Sequence, residues 1–135
     1  MATTTATLTL SSADLTGDQL ALTTIATLTK AGTATGMSET SGVGRKTTTA
    51  TAQYVLFDGN HYASNGAHKV YLKNTSSTSS EFFTVSVNSE EIGRLYAGDW
   101  AFLPWGAHDT DNDLKITPSV DTSMTLEYML ISQVS

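Results

Sequence analysis

The 135-residue chain contains no cysteine, which excludes a disulfide framework, a thiolate metal site and thiol redox chemistry. It has only 2 prolines, and charged residues make up 15% of it. Lys and Arg number 7 against 13 Asp and Glu, a net charge of −6, so the basic stripe expected of a nucleic-acid binder is missing. No stretch approaches the ~18 apolar residues that a membrane-spanning helix needs. Met1 to Thr5 lacks the basic start and apolar run of a secretory signal. These absences point to a soluble chain made in the cytoplasm, with neither nucleic acid nor membrane as partner.

What the sequence has in excess is hydroxyl. Thr and Ser account for 39 of 135 residues, in alternations such as Thr7-Leu8-Thr9-Leu10. Threonine is stiff at χ1, which disfavours helix and suits a half-wet pleated surface. An all-β chain follows, and this length fits one domain that buries about two-thirds of its unfolded surface.

Three textures run along the chain. Residues 1–30 carry Leu8 and Leu10, then Leu20, Leu22, Ile25 and Leu28. The parity slips between Leu22 and Ile25, which predicts a bulge or short break, and a turn falls at Asp14 to Asp18. Residues 31–49 have four glycines and no apolar period, so they read as a long loop or arm, a segment for contact with a neighbouring subunit. From residue 50 strand signals sharpen: Gln53 to Phe57, Lys69 to Lys73, Phe82 to Val87, Trp100 to Trp105, Leu114 to Thr117 and Met124 to Ile131. Asn88 to Gly98 fits either a short capped helix or a strand of a hairpin, and Gly93 favours the strand. Seven to nine short strands predict a single-domain β-sandwich, jelly-roll-like, with residues 1–49 as N-terminal strands and arm and 50–135 as the core.

Patterns that carry chemistry each fail at a nameable position. Gly98-Asp99 through Pro104, Gly106 and His108, with Asn112 beyond, is similar to the second cupin motif. The companion His-x-His pair is absent, however, because His61 and His68 stand seven apart. A catalytic metal needs three well-placed ligands. Asp109, Asp111 and Asp113 open like a calcium-binding EF-hand loop, but Leu114 and Val120 occupy the positions of its glycine and its bidentate glutamate. Gly42 to Thr47 resembles a phosphate loop, yet Glu39 and Arg45 stand where glycine and lysine are required. No serine lies in a nucleophile elbow. Glu90, Glu91 and Asp99 read as exposed charge that keeps an edge soluble. No catalytic residue, metal or cofactor is therefore expected.

The two tryptophans, five apart, point to opposite faces of an extended strand. Trp105, before Gly106, is taken as the outward one, for subunit contact or for stacking on a sugar. Met129 and Ile131, opposite Leu126, Tyr128 and Leu130, make the last strand apolar on both faces near its end. That predicts burial against another layer or another chain.

The runs Lys69 to Ser76, Phe83 to Val87, Ile92 to Trp100, Lys115 to Val120 and Met124 to Met129 resemble small structural proteins of tailed phages, especially those of marine and cyanobacterial hosts. The resemblance covers about residues 50–131 and carries no catalytic residues. It implies a β-rich virion component present in many copies. A capsid decoration or cement protein is expected, assembled in the host cytoplasm, associating with itself as a homo-oligomer, a trimer, and with the major capsid protein on the outer shell. A tail or head-fibre module that binds host-surface glycan is the alternative, and a cupin-like metal enzyme a distant third. Interface candidates are Thr5, Thr7, Leu8, Leu10, Trp105 and Met129. The Thr-rich start is suited to adding a strand to a neighbour's sheet edge.

Overall fold

The computed structural model describes residues 2–15, 17–108 and 110–133. The chain is all-β and divides into two compact units, Met1–Ser38 and Glu39–Ser135. The sequence texture draws the line later, at 49/50, because the first strands of the second unit have no apolar period.

The first unit is a ribbon. Strands β1 (Thr5–Ser12) and β2 (Leu20–Thr27) pair antiparallel over eight consecutive positions, from Thr5 opposite Thr27 to Ser12 opposite Leu20. The register has no shift, so the parity change after Leu22 is not a bulge. Because side chains alternate between faces, Leu8, Leu10, Leu20 and Leu22 share one face with Ala6 and Ala26. Ile25 falls on the other face, among Thr5, Thr7, Thr9 and Thr23. From Thr5 onward the Thr-rich start is thus already paired with the chain's own second strand. Beyond β2, Met37 donates its N–H to the Leu28 carbonyl at 3.1 Å and Lys30 to that of Thr35 at 2.8 Å. Gly32, at φ 69, turns the chain between them.

The second unit holds strands β3 (Glu39–Thr40), β4 (Gly44–Thr48), β5 (Tyr54–Phe57), β6 (Lys69–Asn74), β7 (Phe82–Val87), β8 (Glu90–Tyr96), β9 (Trp100–Pro104), β10 (Leu114–Pro118) and β11 (Met124–Ser132). Two short 3-10 turns, Gly59–His61 and Thr110–Asn112, interrupt them. All pairings are antiparallel, in one sheet ordered β5-β10-β7-β8 and another ordered β3-β11-β6-β9, with β4 also on β11. From β4 to β11 the pairings are nested: β4 with β11, β5 with β10, β6 with β9 and β7 with β8. A long folded hairpin, rolled so that successive pairs fall in alternate sheets, gives this order.

One core joins the two sheets. Phe83, Val85, Leu95, Leu114 and Ile116 come from the first, and Val70, Leu72, Leu126 and Leu130 from the second. Each strand contributes alternate residues, as in Leu114, Ile116 and Pro118 of β10. Asn74, fully buried, ties the sheets together. Its Nδ2 donates to the Leu95 carbonyl at 3.0 Å and the Glu81 carbonyl at 3.3 Å, while its Oδ1 accepts from Ser76 N–H at 3.0 Å. The turn at Gly98 (φ 84) passes the chain from β8 to β9 and is pinned to Asn74 by two backbone bonds of 3.0 Å.

Three local outcomes differ from the sequence pattern. Residues 39–40 and 44–48 are strands of the sheet, joined through 41–43, and not one long loop. The core-side positions of β4 are Gly44, Lys46 and Thr48, small or polar, so they leave no hydrophobic period. Gly44 lies under the Tyr128 ring, where an added Cβ would meet ring carbons at 3.0 Å, and the Lys46 ammonium sits 5.3 Å from the Tyr54 ring centre. The segment after Asn88 is strand β8, and it carries a bulge: Val85 faces Gly93 while Ser86 faces Glu91, leaving Ile92 as the extra residue. Asn88 adopts φ 58 in the preceding turn, a conformation Asn tolerates.

Candidate functional site

The residues singled out for chemistry are structural or dispersed. His68 is fully buried, with Nδ1 accepting the Gln133 N–H at 3.1 Å and Nε2 at 2.8 Å from the Ala63 carbonyl. That pattern assigns the proton to Nε2 and occupies both nitrogens. An added Cβ at Gly66 would fall 2.5 Å from this Nε2, so glycine is required there by packing. His61 is three-quarters exposed and lies 4.0 Å from Asp58. Asn112 holds its own loop, its Nδ2 donating to the Gly106 carbonyl at 2.9 Å. Of the three aspartates at 109–113, Asp113 turns inward and accepts the Gly59 N–H at 2.8 Å, and Asp109 lies outside the described residues. Among the described residues no group of three or more His, Asp or Glu is placed to hold a metal ion.

Trp105 is buried at 3% exposure, and Trp100 is the outward one at 53%. The two do occupy opposite faces; the assignment of faces is reversed. Trp105 packs within an aromatic cluster, 5.5 Å from Tyr62, 5.8 Å from His68 and 5.9 Å from Phe57 between ring centres. Its Nε1 donates to the Asn112 carbonyl at 2.8 Å, which satisfies the one polar atom that burial would otherwise orphan. A residue so enclosed cannot stack on a sugar or meet a subunit. Met129 is half-buried and Ile131 buried.

Among the described residues, two surfaces stand out for recognition. The ribbon is the first. Leu10 and Leu22, directly opposed, are each 44% exposed, and Ile25 on the reverse face is 66% exposed. Neither strand contains a charge, proline or glycine. Thr5 and Thr7 lie on the hydroxyl face, and Leu8 and Leu10 on the leucine face, so the four candidates do not form one patch.

The second is the outer face of the five-stranded sheet. The register places Trp100, Lys73, Glu127 and Arg45 in one row across β9, β6, β11 and β4, and Phe102, Tyr71 and Met129 in the next. Glu127 accepts the Tyr71 hydroxyl at 3.0 Å and Arg45 Nη2 at 3.3 Å. Burial, with the neighbouring Glu127 carboxylate, pushes the Tyr71 hydroxyl pKa above its ordinary value. On the other side of the first row, Thr47 and Thr125 bond hydroxyl to hydroxyl at 3.0 Å. There an open hollow of about 290 Å³ is lined by Thr75, Ser76, Ser77, Thr78, Glu81, Ser123, Met124 and Thr125.

Comparison with protein-family models, with curated proteins and with solved structures yields no match.

Proposed function

We propose that this chain is a non-enzymatic structural component of a virion, a decoration or cement protein that binds the major capsid protein on the outer surface of a phage head. It acts as a homo-oligomer, a trimer. The observation that carries this reading is the ribbon. A two-stranded hairpin with a one-sided leucine face is marginal by itself in water, and free strand edges are ordinarily guarded by lysine, proline or bulges. This ribbon has no such guard on either strand. A face of that kind is completed by protein, and its lack of charge lets copies of a chain of net charge −6 approach through it. One ribbon face measures roughly 26 Å by 10 Å, well below the ~800 Å² per partner of a standard interface. A trimer gives every ribbon two neighbours, and a shell supplies further contacts.

The nested order β4-β11, β5-β10, β6-β9, β7-β8 supports a jelly-roll reading, an architecture suited to many-copy shells, and the resemblance of the runs within residues 50–131 to phage structural proteins points the same way. Light scattering on the purified chain and cosedimentation with mature phage heads test the proposal together. Trimers that bind shells are expected, with Leu10→Lys/Leu22→Lys reducing both. A wild-type monomer that ignores shells overturns it.

A further inference from the structure

We infer that the outer face of the five-stranded sheet is a binding site for an acidic glycan, a polysaccharide bearing carboxylate or sulfate groups, with Trp100 and Phe102 as its stacking platform. These rings lie two residues apart on one edge strand, about 7 Å along it, and both are exposed, at 53% and 38%. Exposed aromatics side by side on a flat sheet cost solubility, and they match the C–H faces of successive sugar rings as they match other flat apolar surfaces.

The polar groups around them fit the same class of ligand. Tyr71 and Arg45 are held in place by Glu127, so the Tyr71 oxygen as acceptor and the remaining guanidinium N–H groups of Arg45 as donors are preorganised and little entropy is lost on binding. The hydroxyl-lined hollow beside Thr125 continues the surface with groups that exchange hydrogen bonds with sugar hydroxyls. Charge selects the acidic kind. Arg45, Lys69 and Lys73 stand on this face with Glu127, and Glu81 lines the hollow beside it, an excess of cations in a chain whose totals are 7 cations and 13 acids. Lys73, next to Trp100 in the register, forms no ion pair among the described residues. The same charge argues against a second copy of this chain docking face to face, since a two-fold contact would set cations against cations.

The site belongs to the second unit and the ribbon to the first, so each has its own test. Titration of the full chain with alginate oligosaccharides, and with neutral dextran oligosaccharides in parallel, is followed by calorimetry and by fluorescence, where the exposed Trp100 responds and the buried Trp105 serves as internal reference. Saturable alginate binding is expected, with dextran at least about tenfold weaker. Trp100→Ala and Lys73→Gln should each weaken alginate binding by about tenfold. Both positions are at the surface, and an unchanged circular dichroism spectrum establishes that each variant is folded. Absence of alginate binding, equal binding of dextran, or wild-type affinity in folded Trp100→Ala overturns the inference. So does a fall in oligomer mass on Trp100→Ala, which would make this face a subunit contact.

Discussion

Leucine is treated in opposite ways by the second unit and by the ribbon of the first. In Glu39–Ser135, Leu72, Leu114, Leu126 and Leu130 are at most 1% exposed, whereas in the ribbon Leu10 and Leu22 are 44% exposed and Leu15 72%. Both segments alternate apolar with polar residues in the same way. The difference lies in what each strand has above it. The nested strands of the second unit give each apolar face a facing sheet, while β1 and β2 form a sheet of two strands. Identical local patterning can therefore build a buried core or leave an apolar face exposed.

The sharpest way to break that comparison is within the aromatic cluster. Trp105→Ala removes a large buried side chain and leaves the Asn112 carbonyl without its donor, at a cost of about 3–5 kcal/mol. Chemical denaturation should show the midpoint of the second unit falling accordingly. A near-neutral result would mean that the ring is not enclosed as described.

The comparison itself is tested by a matched pair. Leu72→Ala should lose about 2–5 kcal/mol of stability. The same change at Leu22, in protein diluted until monomeric, should cost less than about 1 kcal/mol, because little surface is recovered from water on folding. If the two costs converge in the monomer, the ribbon has a core of its own. If Leu22→Ala becomes costly only at concentrations where the chain associates, the leucine face is an interface.

The smallest effect concerns acid. Asp121 is exposed, and its carboxylate accepts the Thr51 N–H at 2.7 Å, a backbone hydrogen bond that lowers its pKa below the ordinary 3.8. A folded-state pKa below the unfolded one means a contribution present above the unfolded value and lost as pH falls through the folded one. The Asn60 N–H acts in the same sense on Asp58. Asp121→Asn should therefore lower the unfolding midpoint slightly at neutral pH, with the difference from the wild type shrinking as pH falls below about 4; an effect at pH 3 larger than that at pH 7 would contradict the assignment.

Much of the fold was readable where burial and alternation coincide. Phe82–Val87 is a strand with the bounds its alternation predicts, and Met124–Ser132 exceeds its predicted span by one residue. The strand choice for the segment after Asn88 also agrees with β8. Reading fails where the core-facing residue is not apolar, as with Gly44, Lys46 and Thr48 of β4, or where a neighbouring strand sets the register, as with the bulge at Ile92. The candidate sites were less legible. Nothing local distinguishes Trp100 from Trp105, since they stand at the two ends of one alternating run, and only the loop closing over Trp105 through Asn112 makes it the inner one.

By itself the sequence determined the material of this protein: threonine-rich strands, no thiol chemistry, an acidic body and an uncharged leading segment. Those properties depend on residue type and spacing, which act locally. Tertiary structure decided which faces are inside. The nesting of β4 to β11, the burial of Trp105 and His68, and the row of Trp100, Lys73, Glu127 and Arg45 all arise from residues far apart in the chain. Pairing energies between strands depend on which strand is opposite, and no single segment carries that information.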